Sequence, residues 1–212
     1  MIVLSLNEVQ VTAKKAARGA GYPWGLAEEA GYAVRWLCSQ GLDGCAALAN
    51  LLTRFDGTPF DIRTPDTNQP IWKPGGDFIL CPLIVGAAIS DRADELSHRS
   101  FRTTSVAEPS LLFAFAAYCA RRLNCTVRVE WPDGAAISDG MRITQHGHLG
   151  SIADSVCVQR GGAIETPNQV FSRAELVPSV LKTLNEFAQR TYAPATEESR
   201  QKGAGAELRD GN

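Results

Sequence analysis

The chain turns a corner between Lys14 and Gly31, KKAARGAGYPWGLAEEAG, and that corner most restricts how it folds. Upstream, Leu6, Val9, Ala13, Ala16, Ala17 and Ala20 recur at the 3.6-residue spacing of one helix face. Ser5-x-x-Glu8 opens this helix as a capping box, serine oxygen to the downstream amide and glutamate back to the serine amide. Gly19-Ala20-Gly21 ends it, because glycine relieves the left-handed conformation at a helix C-terminus. Lys14, Lys15 and Arg18 cluster where the helix dipole favours cations. Pro23 suits the first turn of a second helix, where its missing N–H costs nothing. Leu26, Ala30, Ala33, Val34 and Leu37 form the buried stripe of that helix. Gly41-Leu42-Asp43 breaks it, and Asp43 caps a third helix through Leu48, Leu51, Leu52 and Phe55.

Residues 1–55 therefore read as three consecutive helices, and the character changes at Asp56. Asp56 to Gly76 holds four prolines and is expected to be an ordered loop. The apolar run Phe78 to Ala88 suits a strand buried on both faces, with Pro82 marking a bulge or an edge. Asp91 to Ser100 reads as a polar loop, and Phe101 to Val106 as a strand. Pro109 opens a helix through Leu112, Phe113, Ala116, Ala117 and Ala120. Thr126 to Trp131 alternates, with Val127, Val129 and Trp131 on one face. Pro132-Asp133-Gly134 turns the chain into a hairpin strand, Ala135–Ser138, and Met141–Thr144 and Val156–Arg160 follow as strands. Ser172-x-x-Glu175 repeats the capping-box signature and predicts a final helix to about Thr191, kinked or restarted at Pro178. The expected fold class is α+β: an N-terminal helical segment, a mostly antiparallel sheet with packed helices, and a C-terminal helix and tail. One domain is expected over 1–192: helical over 1–55, mainly β with one helix over 56–170, and helix over 172–191. Residues 193–212, rich in Ala, Glu, Gly and Ser, form the tail.

A net charge of −2 gives no electrostatic footprint for nucleic acid. No apolar run reaches the roughly 18 residues of a membrane helix, and MIVLSLNEVQ lacks a basic leader region. Neither a nucleic acid nor a membrane is expected as a partner. Six scattered cysteines with no C-x-x-C pair predict reduced, mostly buried thiols and a cytoplasmic protein.

Candidate chemistry concentrates at the corner. Helical geometry puts Glu28 opposite the buried stripe and Glu29 on its edge, beside Tyr32, Ala33 and Trp36. A carboxyl group flanked by aromatics is where desolvation raises a pKa toward acid–base use, so Glu29 is the catalytic candidate. Arg18, across the glycines, is placed to hold an anionic group, with Trp24 and Tyr22 as substrate-binding aromatics. The plainer alternative is that Arg18 caps the first helix and Trp24 is packing. His146-Gly147-His148 is the candidate metal site, because residues two apart on a strand share a face. Asp94 and His98 form a further polar pair in the loop before Phe101. Gly19, Gly21 and Gly25 do not make a dinucleotide fingerprint, because a helix precedes them where a strand is required, and no cofactor is expected.

The corner RGAGYPWGLAEEAG and the helix ending RWL resemble the start of an uncharacterised bacterial family of similar length that carries only a domain-of-unknown-function label. The tail TYAPATEESRQKGAGAELRDGN resembles that family's C-terminus. The resemblance implies no activity or substrate, but it makes Arg200 and the tail a candidate lid over the corner. Two functions remain open. One is a site for a small anionic or amide-bearing metabolite at the Arg18–Glu29 corner. The other is an accessory role, docking on a partner enzyme through the aromatic corner and tail. A homo-oligomer is compatible with both.

Overall fold

The computed structural model describes residues 1–192. Arg200 and the expected lid lie outside the described residues.

A short strand, β1 (Ile2–Ser5), which sequence reading missed, leads into α1 (Leu6–Gly19). The capping box forms as expected: Ser5 Oγ accepts from the Glu8 amide at 3.2 Å, and Glu8 Oε2 accepts from the Ser5 amide at 2.8 Å. At the corner two glycines serve different ends. Gly21 has φ +91°, a conformation an L side chain rarely adopts. Gly19 is the last helical residue and supplies space, since a Cβ there would stand 1.8 Å from the Phe187 carbonyl oxygen. The next helix, α2 (Trp24–Ser39), buries Ala27, Ala30, Gly31, Ala33, Val34 and Leu37. Its small residues let α1 approach closely: a Cβ on Gly31 would lie 2.8 Å from the Gln10 carbonyl oxygen. Asp43 caps α3 (Gly44–Arg54), its carboxylate accepting from the Ala46 amide at 3.0 Å.

Beyond α3 the chain makes a single 3-10 turn, Asp61–Arg63, and a short strand, β2 (Ile71–Trp72). Arg63 is only 2% exposed. Its guanidinium lies 4.2, 4.8 and 5.2 Å from the ring centroids of Phe60, Tyr22 and Phe55. It donates to the Tyr22 hydroxyl at 3.1 Å.

The run Phe78–Ala88 is not a strand. It enters α4 (Pro82–Asp91), with Pro82 at the helix start and Cys81 extended just before it. The proline read as an obstacle within a strand is the start signal of a helix. Periodicity misled because α4 buries residues around much of its circumference, so it shows no polar face. Residues 56–170 therefore hold two helices, not one. A 3-10 segment, Ala93–Ser97, follows α4.

The expected strand Phe101–Val106 splits into β3 (Phe101–Thr103) and β4 (Val106–Ala107). Pro109 opens a 3-10 turn that runs into α5 (Leu112–Leu123). Then come β5 (Val127–Trp131), β6 (Gly134–Ser138), β7 (Ile143–Gly147), β8 (Ile152–Ala153) and β9 (Val156–Arg160). The main sheet has the order β2-β3-β9-β5-β6-β7, antiparallel except for the β2–β3 pair. Val127, Val129 and Trp131 are buried as the alternation predicts, and Trp131 stacks on Phe113 of α5 at 5.7 Å. β4 pairs separately with β8. The fold is α+β, with α5 packed against β5 and β6 of a mixed sheet.

The second capping-box signature is also corrected. Ser172-x-x-Glu175 opens no helix: Arg173–Leu176 is a strand, β10, antiparallel to β1 at the other end of the chain. Ala174 and Leu176 are buried between exposed neighbours, the period of a strand. The helix α6 (Pro178–Gln189) starts at the proline. It lies against α1, and Arg190 beyond it forks onto Asp56 at 2.6 and 2.9 Å.

The Gly19 contact yields a test. Gly19→Ala lowers stability by about 1–3 kcal/mol, because backbone faces the new methyl and cannot swing aside. Differential scanning calorimetry reads that as a fall of roughly 2–4 °C per kcal/mol for a chain of this size. Gly25→Ala, with open space around a Cβ, leaves Tm unchanged or higher.

A candidate small-molecule site on α2

The structure divides the corner in two. Trp24 and Glu28 are four residues apart and share one face of α2, while Glu29 lies about 100° further round. On the first face, Arg18 donates to the Tyr22 carbonyl at 2.9 Å, and its guanidinium lies 5.0 Å from the Trp24 ring. Lys14 lies 5.7 Å from the same ring and pairs with Glu28 at 2.6 Å. Trp24 is 62% exposed. These residues form an open surface cluster in which Arg18 closes the end of α1.

Tyr22 does not belong to that surface. It is wholly buried, its hydroxyl 3.2 Å from Cys81 Sγ and within reach of Arg63. Burial, then the neighbouring Cys81, pushes its phenol far above the ordinary range. Its role is packing, and the expectation that it meets substrate is corrected.

Glu29 faces a cavity of ≈ 690 Å³ between α2, the end of α4 and α5. The walls include Tyr32 and Trp36 from α2, Phe115 and Tyr118 from α5, and Asp91 at the last position of α4. Arg18 and Trp24 do not line this cavity, so the structure does not bring Arg18 and Glu29 together. One oxygen of Glu29, Oε2, is buried with no hydrogen-bond partner among the described residues. Burial raises the pKa of this carboxyl group, and the nearby Asp91 carboxylate raises it further. Three cations ring the cavity. Arg35 is engaged by Asn7 and Gln10, and Arg122 by Asp94 at 2.7 Å and the Ser90 carbonyl. Arg121 makes no ion pair among the described residues.

Sequence reading missed the α4 and α5 walls. Asp91 was placed in a loop because the helix ending at it was read as a strand. Phe115, Tyr118 and Arg121 stand three apart on α5, a second stripe beside the buried one, and that spacing was legible.

The histidine pair does not form the expected site. His146 ends near the edge of β7, but Gly147 has φ +83°, which interrupts the alternation needed to put both imidazoles on one face. His148 lies beyond the strand, its carbonyl accepting from the Trp131 indole at 2.7 Å. Among the described residues no group of three or more His, Cys, Asp or Glu is placed to hold a metal ion. Asp94 pairs with Arg122, leaving His98 without it. No described helix is long and apolar enough to cross a membrane.

The Glu29–Asp91 arrangement predicts a titration. In Asp91→Asn the Glu29 midpoint moves down but stays above the ordinary carboxylate range, because burial is the larger cause. Carboxyl-carbon NMR reads both parts. The sign for stability follows: with a folded pKa above the unfolded one, the contribution of Glu29 is complete below the unfolded pKa. It is lost as pH rises through the folded value. Glu29→Gln therefore gains stability relative to wild type as pH rises through that range.

Residues 4–69 match a family described as Protein of unknown function (DUF3726). The matched stretch is less than half of the chain and contains α1, α2 and α3. It includes the Glu29 wall of the cavity but not the Asp91 and Tyr118 walls. No curated protein matches the chain.

Proposed function

We propose that the Glu29 cavity is a small-molecule site for a compact amide-bearing carboxylate, an N-acyl amino acid in class. The observation that carries this reading is a carboxyl residue, Glu29, in the wall of an aromatic-lined cavity, with one of its oxygens buried and unpartnered among the described residues. Burial favours the neutral form of Glu29, and in that form a carboxyl group donates a hydrogen bond for which an amide carbonyl is a fitting acceptor. Asp91, in the same cavity wall, accepts from the amide N–H. Tyr32, Trp36, Phe115 and Tyr118 cover the apolar body. Arg121 takes the role that sequence reasoning gave to Arg18, pairing with the carboxylate end. Glu29 is also the acid–base group of this reading, since burial and Asp91 move its pKa up from the ordinary carboxylate value, the direction acid–base use needs.

A second reading rests on Trp24, exposed between Lys14 and Arg18. Aromatic and arginine side chains commonly anchor protein interfaces, so this patch supports docking on a partner protein. Losing Tyr22 to the core leaves that surface small.

A thermal-shift series separates the two. A ligand at a hundred times its Kd adds about 2.7 kcal/mol of stability, several degrees of Tm here. N-acyl amino acids raise Tm, and Arg121→Ala weakens binding of the carboxylate forms by about 1.5–3 kcal/mol. Glu29→Gln retains binding, because its amide also donates, and removes any turnover. Arg18→Ala and Trp24→Ala leave the shift intact. A shift lost in Arg18→Ala and kept in Arg121→Ala moves the ligand to the exposed corner and sinks the cavity reading.

A further inference from the structure

The turn between α2 and α3 brings two of the six cysteines together. Cys38, on the last turn of α2, has its Sγ 3.8 Å from the Sγ of Cys45, on the first turn of α3. Both belong to the wall of a depression of ≈ 500 Å³, separate from the Glu29 cavity, that also includes Asp43, Phe171 and Arg173. The side chains are little exposed, 6% for Cys38 and 1% for Cys45, and the depression is the open volume that both of them line.

The surroundings make the two sulfurs unequal. A hydrogen bond joins the two sulfurs, and the start of α3, at Gly44 and Cys45, lies beside Cys38. Together these hold Cys38 below the ordinary thiol range, against burial and the Asp43 carboxylate. Cys45 is pushed up by the same sulfur–sulfur hydrogen bond, by burial, and by the charges of Cys38 and Asp43. The other thiols lack such a partner: Cys81 is bonded to Tyr22, Cys119 is buried, and Cys125 and Cys157 are half-exposed.

We propose that Cys38 and Cys45 are a peroxide-reactive dithiol, with Cys38 the attacking sulfur and Cys45 the resolving one. The Cys38 thiolate attacks one oxygen of hydrogen peroxide, the O–O bond breaks, and hydroxide leaves. Cys38 becomes a sulfenic acid, a two-electron oxidation of sulfur matched by reduction of the peroxide. The Cys45 sulfur then attacks Cys38, the S–O bond breaks, and the Cys45 proton leaves with the hydroxyl as water. The product is a disulfide across the Gly41 turn, closed by side-chain rotation over a short gap. A thiol reductant restores the pair.

The sequence supplies a convenient readout. Trypsin cuts after Arg35 and Arg54 with no basic residue between, so one peptide, 36–54, carries Cys38 and Cys45 and no other cysteine. The full-length reduced protein is treated with hydrogen peroxide and alkylated, and its peptides are weighed. The expected result is loss of two hydrogens and of both alkylation sites from the 36–54 peptide, ahead of any change at Cys125 or Cys157, and reversed by dithiothreitol. In Cys45→Ser the reaction stops at the sulfenic acid, which dimedone traps on Cys38. A 36–54 peptide still alkylated at both thiols while Cys125 or Cys157 is oxidised overturns the proposal. An adduct forming on Cys45 in Cys38→Ser, as fast as on Cys38 in Cys45→Ser, overturns the assignment of roles.

Discussion

The buried guanidinium of Arg63 fixes how the helical half of the chain meets the rest. No carboxylate pairs with it among the described residues, so its charge rests on three aromatic faces and the Tyr22 hydroxyl. A cation–π contact is worth about 2 kcal/mol or more when desolvated, and a buried charge without partners is far costlier. The rings come from three places: Phe55 ends α3, Phe60 begins the following loop, and Tyr22 sits in the α1–α2 corner. The Arg63 carbonyl in turn accepts from the Cys81 amide, just before α4. One side chain and its backbone thus register the corner, α3 and α4 together.

That registration bears directly on the cavity. Glu29 is carried by α2 and Asp91 by the far end of α4, so their separation is set by how the two helices cross. A small residue also tightens the packing of α4 on α5, the third wall of the cavity. Gly86 on α4 leaves room for the Phe115 ring, which a Cβ would meet at 2.2 Å. Phe115 then forms part of the cavity wall. Packing density, and not a polar scaffold, positions the two carboxyl groups. The same helix α2 ends at Cys38 and Ser39, which face the dithiol depression and the Glu29 cavity respectively. Two chemically distinct places are therefore built on one element, back to back.

The sequence was most legible where the physics is local. The Ser5–Glu8 box, the Asp43 cap and the Val127–Trp131 alternation are each decided within a few residues, and each forms as read. It was least legible where a distant partner decides. Ser172-x-x-Glu175 carries a sound helix-start pattern, but β1 offers it a ladder from the other end of the chain. The run Phe78–Ala88 fails for another reason, since a helix enclosed by other helices needs no polar face and loses the period that betrays it. The site suffered from both effects. Glu29 and its flanking aromatics were found from helical spacing, whereas Asp91 and Arg121 depend on where α4 and α5 pack. Tyr22 was misassigned because an aromatic beside a glycine turn reads alike whether it points outward or anchors the core.

Glu29 is a liability to the fold, and that bears on what it is for. Its carboxyl group is half-buried, faces another carboxylate, and leaves an oxygen without a partner. An unsatisfied buried polar atom costs roughly 1–3 kcal/mol, a sizeable share of the stability of a typical domain. The position offers cheaper solutions. Ala30 and Ala33 beside it show that α2 accepts small apolar residues at the edge of its buried stripe, and a leucine would extend the aromatic wall. Arg63 also keeps one buried nitrogen, Nε, without a partner among the described residues, but three rings and the Tyr22 hydroxyl engage the rest of its charge. A side chain that departs from local consistency with no structural return belongs to the class of residues that functional sites collect. One oxygen of Glu29 has no partner among the described residues, and the cavity that Glu29 lines is where a partner from outside would sit.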